Sequence, residues 1–296
     1  MSIVSLARAH GSFSFKKAIE RSLDLLDFDL GPGVSKVVIK PNLCYYMDFS
    51  TGETTDPRFV AALVDVLRER ISSDIDIRVV ESDASAMKCK FVFQMLGYRK
   101  MSDEKKVELV NLSEDSATES LVKVAGRQFK FMVPKTIEKA DLFINVPKIK
   151  FVPSTKITCA LKNIYGCNPY PKKYRLHPVL DEAIVGLNKV MKPHICLTDG
   201  TTVRGVYTRR LGLVMASIDP VANDSVVATI GGIKPTRIGH VALAQQEGLG
   251  TTDFNIVGDD LGYFIDRFPR QDWKSRLLSK VIPVVTPVLA KVNLSL

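Results

Sequence analysis

A lysine-rich window in the middle of the chain contains the residues best suited to chemistry. From Leu142 to Leu180 the sequence has no Asp or Glu, and this window supplies +7 of the formal net charge of +9. Like charges that are crowded together repel one another, so a bound anion that neutralises them is the simplest reason for such a window. We therefore expect it to form the wall of a site for a negatively charged ligand. Its cations are Lys148, Lys150, Lys156, Lys162, Lys172, Lys173 and Arg175.

Lys40, Lys162 and His177 are the candidates for catalysis. Positioned ammonium groups stabilise negative charge that develops during a reaction. His177 follows Arg175 in the basic window, where neighbouring cations favour the neutral imidazole. Such an imidazole can accept a proton near neutral pH, as a general base does. Alternatively, His177 caps the helix that begins near Leu180.

Four predicted strands end at polar residues. In open parallel sheets, ligands bind just beyond the C-terminal ends of the strands. One polar strand end alone could be an ordinary turn, but four together predict a shared crevice. The four segments are Lys40-Pro41-Asn42, Glu81-Ser82-Asp83, Pro147-Lys148-Ile149-Lys150 and Thr198-Asp199-Gly200. The predicted substrate-binding residues are Asn42, Thr55, Lys148, Lys150, Thr158, Asn163 and Asp199.

Carboxylates form a second group of candidates. If Glu81, Asp83 and Asp224 converge near the cationic window, they could hold a hard divalent ion such as Mg²⁺ that bridges to the anionic ligand. Asp219-Pro220 has instead the pattern of a helix start, with the Asp as N-cap and the Pro in the first turn. Asp199-Gly200 could also be simply a turn.

The cysteine and glycine patterns argue against several common sites. The five cysteines include no C-x-x-C pair, which disfavours a disulfide framework, a zinc ribbon or an iron–sulfur cluster. Gly231-Gly232 and Gly248-Leu249-Gly250 match neither the dinucleotide fingerprint nor the phosphate-binding loop. Because the thiols are expected to be reduced and the N-terminus lacks the pattern of a secretory signal, we expect a cytoplasmic protein.

Short β-branched runs alternate with segments of helical periodicity along the chain, which predicts an α/β fold with a mainly parallel, doubly wound sheet flanked by helices. Val122–Val133 alternates around Ala125-Gly126 and predicts a small hairpin. The predicted strands are Ile3–Ala7, Lys36–Ile39, Ile77–Val80, Val107–Asn111, Leu142–Val146, His194–Leu197, Leu211–Ala216 and Phe254–Val257. The predicted helices are Phe15–Leu26, Arg58–Arg70, Lys90–Leu96, Pro134–Lys139, Thr155–Tyr165, Leu180–Val190, Val221–Thr229 and Arg237–Glu247.

The predicted helix Thr155–Tyr165 lies inside the basic window. Its apolar residues recur at the spacing of one buried helix face. Ser154 or Thr155 could cap its N-terminus, and Gly166 could close its C-terminus in the left-handed conformation. Its first-turn amides would then face the anion. The apolar residues of this face are Ile157, Ala160, Leu161 and Ile164.

Residues 1–265 are expected to form a single α/β domain with a basic subregion around 145–178; a body of two lobes is the alternative. Residues 266–296 form a basic and apolar tail. Its apolar part, Leu277–Val292, is too short for a bilayer span and contains Pro283 and Pro287. The tail therefore packs on the body or on another subunit, or makes a peripheral contact with an anionic membrane.

Many of these polar segments, taken in order, resemble the domain-of-unknown-function 362 family over about residues 1–260. Some relatives carry a ferredoxin-type iron–sulfur module, but this chain lacks its cysteine pattern. Many relatives also place a histidine after the position of Lys150, where this chain has Phe151-Val152-Pro153. The resemblance implies one site built from these segments and no assigned reaction. The most specific matching segments are Lys40-Pro41-Asn42, Asn145-Val146-Pro147-Lys148-Ile149-Lys150 and Leu161-Lys162-Asn163 with Gly166.

The leading hypothesis is an enzyme that acts on a small carboxylated or phosphorylated metabolite. The alternative is a nucleic-acid or regulatory anion-binding protein without catalysis, in which Tyr165, Tyr170 and Tyr174 stack on bases. The cations lie among prolines and strand ends, which is typical of a pocket, and the chain outside the window and the tail is net acidic. Nucleic acid is therefore the less favoured partner, and a homo-oligomer is possible.

Overall fold

The computed structural model describes residues 1–31, 33–43, 45–152 and 154–270. The predicted tail lies almost wholly outside the described residues. The strands are β1 Ser2–Arg8, β2 Lys36–Pro41, β3 Asp76–Glu81, β4 Glu108–Asn111, β5 Ala117–Val124, β6 Arg127–Pro134, β7 Leu142–Val146, β8 Lys148–Val152, β9 Lys156–Thr158, β10 Ile195–Arg204, β11 Thr208–Ser217 and β12 Phe254–Gly258. The helices are α1 Phe15–Leu25, α2 Pro57–Arg70, α3 Cys89–Met95, α4 Tyr98–Lys105, α5 Lys135–Glu138, α6 Ala160–Ile164, α7 Leu180–Val190, α8 Pro220–Ile230, α9 Gly239–Gln246 and α10 Leu261–Arg267.

The β-branched runs pair into one sheet in the order β12-β1-β11-β10-β7-β2-β3-β4. Neighbouring strands are parallel except at β11, which is antiparallel to both β1 and β10. Each of the eight predicted strands has a counterpart here, so the mainly parallel sheet is confirmed. β8 pairs in parallel with the outer part of β10, and β9 pairs antiparallel with β8.

Two apolar cores cover the two faces of the sheet. One core contains α1 to α4, with residues such as Phe59 and Leu63 from α2. The other contains α6 to α9, with residues such as Leu161 and Val226. The predicted hairpin is also present as β5 and β6, which join at Ala125 and Gly126 with positive φ angles of 47° and 79°. Positive φ at both central residues matches the right-handed twist of the flanking strands.

The chain leaves β2 and β7 in opposite directions. After β2 it continues outward to β3 and β4, and it returns to form β7 on the other side of β2. The strand order therefore reverses between β2 and β7. A crevice forms beyond the C-terminal ends of these two strands, because their connections pass over opposite faces of the sheet. Lys40 and Lys148 stand at this crevice edge of the sheet.

The predicted helix Thr155–Tyr165 is wrong in its first half. Lys156 has a φ of 62° and begins β9, which pairs back onto β8 through Lys150 and Thr158. The helix starts only at Ala160, so neither Ser154 nor Thr155 caps it. The four apolar residues of the predicted face are nevertheless all fully buried. Ile157, Leu161 and Ile164 share one core although they belong to a strand and a helix.

The structure shows no helix among its described residues that is long and apolar enough to cross a membrane.

Asp219 should contribute strongly to stability. It caps α8, as the sequence predicted, by accepting hydrogen bonds from the amides of Val221 and Ala222, and its other oxygen accepts from Thr251 N and Ser2 Oγ. Asp219→Ala leaves these donors without the carboxylate. We expect it to lower the free energy of unfolding by about 2 kcal/mol or more, measured by urea denaturation.

Asp103→Ala is the matched control, since Asp103 is exposed in α4. It should change stability by less than about 0.5 kcal/mol. Equal effects of the two substitutions would contradict the role given to Asp219.

Candidate functional site

A cleft of about 320 Å³ opens beyond the ends of β2 and β3, beside β8, β9 and α6. We call it the lysine cleft, because four lysines line it: Lys40, Lys150, Lys162 and Lys173. Two glutamates also line it, Glu53 and Glu81, so lysines outnumber carboxylates in its lining. The sequence-predicted residues that line it are Lys40, Asn42, Glu81, Lys150, Thr158, Lys162 and Asn163.

A buried ion pair forms the floor of the lysine cleft. Lys40 Nζ lies 2.8 Å from Glu81 Oε2 and 2.6 Å from the carbonyl oxygen of Pro41. The side chains of Lys40 and Glu81 are only 1% and 3% exposed. The carboxylate also accepts hydrogen bonds from the amides of Leu43 and Ser82. These bonds hold the two charges in place.

Gly166 gives this ion pair its space. A Cβ atom at this position would lie 3.1 Å from Lys40 Nζ and 3.3 Å from Glu81 Oε1. Gly166 belongs to a short 3₁₀ turn, Tyr165–Cys167, and its φ is not positive. The prediction that it closes a helix in the left-handed conformation is therefore wrong. A larger residue here would need the charged side chains of Lys40 and Glu81 to shift by a few tenths of an ångström.

Three asparagines join α6 to the ends of β2 and β7. Asn163 donates to the carbonyl oxygen of Lys40 and to Asn145 Oδ1, at 3.1 and 2.7 Å. Its own Oδ1 accepts from Asn42 Nδ2 at 3.0 Å. Asn145 in turn donates to the carbonyl oxygen of Ala160. Asn163 thus positions Lys40 and the wall of the cleft.

Lys150 and Lys162 lie on the outer side of the cleft. Lys150 Nζ is 3.1 Å from the carbonyl oxygen of Glu53 and 3.6 Å from its Oε2. Lys162 Nζ donates to Thr155 Oγ1 at 3.1 Å. Lys162 is partly exposed and lines the cleft.

Lys173 lines the cleft and lies in the basic window, but it is not among the residues predicted individually for catalysis or substrate binding. Its Nζ donates to Ser82 Oγ and to the carbonyl oxygen of Asp83, both at 2.7 Å. Burial lowers the pKa of Lys173 below its ordinary value, because desolvation penalises the ammonium form. The only local sequence feature that could have indicated this position is a lysine pair after Pro171, in a segment rich in turn-forming residues.

Lys148, Asp199 and Thr55 form a buried layer beside the cleft rather than part of its lining. Lys148 stands opposite Asp199 in the pairing of β8 with β10, and their charged atoms are 2.8 Å apart with both side chains fully buried. Asp199 also accepts from the amide of Asp56. Thr55 Oγ1 donates to the carbonyl oxygen of Val146. Asp199-Gly200 continues β10 and is not a turn.

His177 lies apart from the cleft. It is exposed in the 3₁₀ segment Lys173–Val179 and is not among the residues that line the cavity. The structure therefore does not bring it together with Lys40 and Lys162.

The acids predicted to hold a divalent ion do not form a common group. Asp83 accepts from Lys88 and from the amide of Cys89. Asp224 accepts from the amides of Ala160 and Leu161 at 2.7 and 3.1 Å. The described part of the chain has no cluster of three or more His, Cys, Asp or Glu side chains that could hold a metal. The predicted metal site is therefore not assembled from these residues.

Asp224 also occupies the helix amides that were expected to face the anion. Its carboxylate is fully buried behind the N-terminus of α6. Burial raises the pKa of this carboxyl group, and the two amides oppose that shift. The amides of Ala160 and Leu161 are thus satisfied from inside the protein and are not available to a ligand in the cleft.

Comparison with known families gives a match over the region that builds the cleft. The family described as "Domain of unknown function (DUF362)" matches residues 37–229, and the chain belongs to this family. The match includes all four lysines of the cleft.

The individual proteins to which the chain is similar have low sequence identity to it. The chain is 29% identical to the thylakoid-associated protein sll1697 of Synechocystis over 126 residues, which are 38% of this chain and 39% of that protein. Among solved structures, it is similar to the lactate racemase apoprotein from Thermoanaerobacterium thermosaccharolyticum, with a TM-score of 0.46, 14% identity and coverage of 79% and 58% of the two chains. A Thermotoga maritima protein gives a TM-score of 0.44, 12% identity and coverage of 79% and 59%. The chain spans less than two thirds of each of these proteins.

Glu81→Gln should destabilise the protein strongly, because it leaves the buried ammonium of Lys40 without its carboxylate. We expect the free energy of unfolding to fall by about 3 kcal/mol or more in urea denaturation. The double variant Lys40→Met/Glu81→Gln removes the uncompensated charge and should recover part of this loss.

Glu104→Gln, which changes an exposed glutamate of α4, is the control and should change stability by less than about 0.5 kcal/mol. If Glu81→Gln is as stable as this control, the ion pair does not hold the floor of the cleft.

Proposed function

We propose that this member of the DUF362 family is an enzyme that binds a small carboxylated or phosphorylated metabolite in the lysine cleft. The observation that supports it best is the cleft itself: four lysines face two glutamates around one cavity, at the point where the chain leaves β2 and β7 in opposite directions. Ligand sites of open α/β sheets lie at such points. The excess of lysines over carboxylates in this lining favours a ligand that carries a phosphate or carboxylate group.

The size of the cleft favours a small ligand. Its volume of about 320 Å³ is at the lower end of the range for small-molecule sites, which is roughly 300 to 1,000 Å³. A dinucleotide would need a larger cavity. The glycine patterns of the sequence also lack a dinucleotide fingerprint, so the two observations agree.

The lysines of the cleft are suited to two different tasks. Lys162 is partly exposed and can bind an incoming anion, with Lys150 beside it. Lys40 is fixed by Glu81 and Asn163 and cannot reorient freely. A cation fixed in a dry site stabilises negative charge on a reacting group without a cost for reorganisation. This arrangement supports proton abstraction beside a carboxylate, or transfer of a group.

Lys162→Ala should weaken anion binding while leaving the fold intact. Charge-assisted hydrogen bonds contribute about 1.5 to 3 kcal/mol, so the affinity for inorganic phosphate or a small dicarboxylate should fall at least about tenfold. Isothermal titration calorimetry would measure it. Lys192→Ala, which removes an exposed lysine outside the cleft, should bind as the wild type does. Undiminished binding by Lys162→Ala would refute the proposal.

Binding of single-stranded nucleic acid is a second candidate, favoured by the segment that follows the cleft. Tyr170 and Tyr174 are 59% and 53% exposed, and Lys172 and Arg175 beside them are also exposed. Aromatic and basic side chains in this pattern can stack on bases and contact phosphates.

Two variants separate the candidates in an anisotropy titration with a single-stranded RNA oligomer. If the segment binds RNA, Tyr170→Ala/Tyr174→Ala should weaken binding by about 1 to 3 kcal/mol per stacked base, with a steep dependence on salt. Lys162→Ala should then have little effect. If the cleft is the functional site, we expect only weak binding of RNA that the double variant does not change.

A further inference from the structure

Lys173 differs from Lys40 and Lys150, two other lysines that line the cleft. Lys40 lies 2.8 Å from Glu81, and Lys150 lies 3.6 Å from Glu53. Lys173 has no carboxylate within ion-pair distance in the described part of the chain; its two hydrogen bonds go to a hydroxyl and a carbonyl oxygen. No negative charge in direct contact therefore holds Lys173 in the ammonium form.

The hydrogen bonds of Lys173 also orient its nitrogen. Ser82 Oγ uses its hydrogen toward the carbonyl oxygens of Gly166 and Asn168, so toward Lys173 it acts as an acceptor. The carbonyl oxygen of Asp83 accepts as well. An uncharged amine has two hydrogens and one lone pair. With both hydrogens directed at Ser82 and Asp83, the lone pair remains for the cleft that Lys173 lines.

Burial is the main influence on the pKa of Lys173. Desolvation lowers this pKa most, the carboxylate of Glu81 opposes the shift, and the ammonium of Lys40 lowers the pKa to a smaller extent. The thiols of Cys89 and Cys167 stay protonated at neutral pH, since burial raises the pKa of both, to about 12 for Cys167. The carboxylate of Asp83 is engaged by Lys88.

We propose that Lys173 is a nucleophilic amine that condenses with an aldehyde or ketone carrying the carboxylate or phosphate held by the lysine cleft. The proposal rests on the proposed function, because it needs the anionic group to be bound beside Lys173. In the step, the Nζ lone pair attacks the carbonyl carbon and an amine hydrogen passes to the oxygen, which gives a carbinolamine. The oxygen then leaves with both amine hydrogens as water, and a carbon–nitrogen double bond remains.

This assignment gives the lysines of the cleft different roles. Lys162, with Lys150 beside it, binds the fixed anionic group of the substrate, and Lys40 remains in its pair with Glu81. The Schiff base, protonated by solvent, withdraws electrons from the neighbouring carbon and so eases removal of a proton or a carboxyl group there. The substrate class is therefore a small oxo acid or a phosphorylated aldehyde or ketone.

The test is reductive trapping on the full-length protein at pH 7 with two anionic aldehydes, pyridoxal 5′-phosphate and glyoxylate. After sodium borohydride treatment, peptide mass spectrometry locates the adduct. We expect Lys173 to be labelled faster than the adjacent exposed Lys172, since burial lowers the pKa of Lys173 and so increases the uncharged fraction of its amine at pH 7. Inorganic phosphate should slow labelling at Lys173 and not at Lys172.

Lys173→Arg keeps the positive charge and should abolish the fast labelling, whereas Lys172→Arg should retain it. The proposal is overturned if both aldehydes label Lys172 and other exposed lysines as fast as Lys173 in the wild type, a comparison that needs no variant. If calorimetry shows phosphate binding in the cleft but Lys173 is not labelled, this inference fails and the proposed function stands. If phosphate neither binds nor protects, the proposed function fails as well.

Discussion

The ion pair between Lys40 and Glu81 is the constraint on which the arrangement around the cleft depends. Two charges that are almost wholly buried are tolerated only when their geometry and hydrogen bonds compensate for lost hydration. This requirement fixes the ends of β2 and β3 relative to each other and leaves little space for a side chain at Gly166. Asn163 then ties α6 to Lys40. The floor of the cleft is thus set before any ligand arrives.

The sheet could be predicted from the sequence because its signals are local. Each strand is a short β-branched run, and β5 and β6 meet at an Ala125-Gly126 turn with the geometry such hairpins favour. The segment from Thr155 to Tyr165 was mispredicted because Ile157 packs in the same core from a strand as Leu161 does from a helix. Two different elements therefore produced the helical spacing of apolar residues, and the left-handed conformation of Lys156, where β9 begins, is not marked by a glycine.

Residues of the candidate site could be predicted only where a position at the end of a strand places the side chain in the cleft. Lys40 and Asn42 line the cleft because they end β2. Lys148 also stands at a strand end, but its register opposite Asp199 buries it beside the cleft, and register is a tertiary property. Lys173 reaches the cleft through long-range contacts, including the bond from Ser113 Oγ to the carbonyl oxygen of Pro169. Local sequence does not encode such contacts.

The most direct measurement of the central claim is anomalous diffraction from crystals soaked in tungstate, an oxyanion with a strong anomalous signal. If the lysines are gathered to bind a negative ligand, the strongest peak should lie in the cleft, within hydrogen-bonding distance of Lys162 and Lys173. Tungstate bound only at exterior cations, with no density in the cleft, would contradict the account.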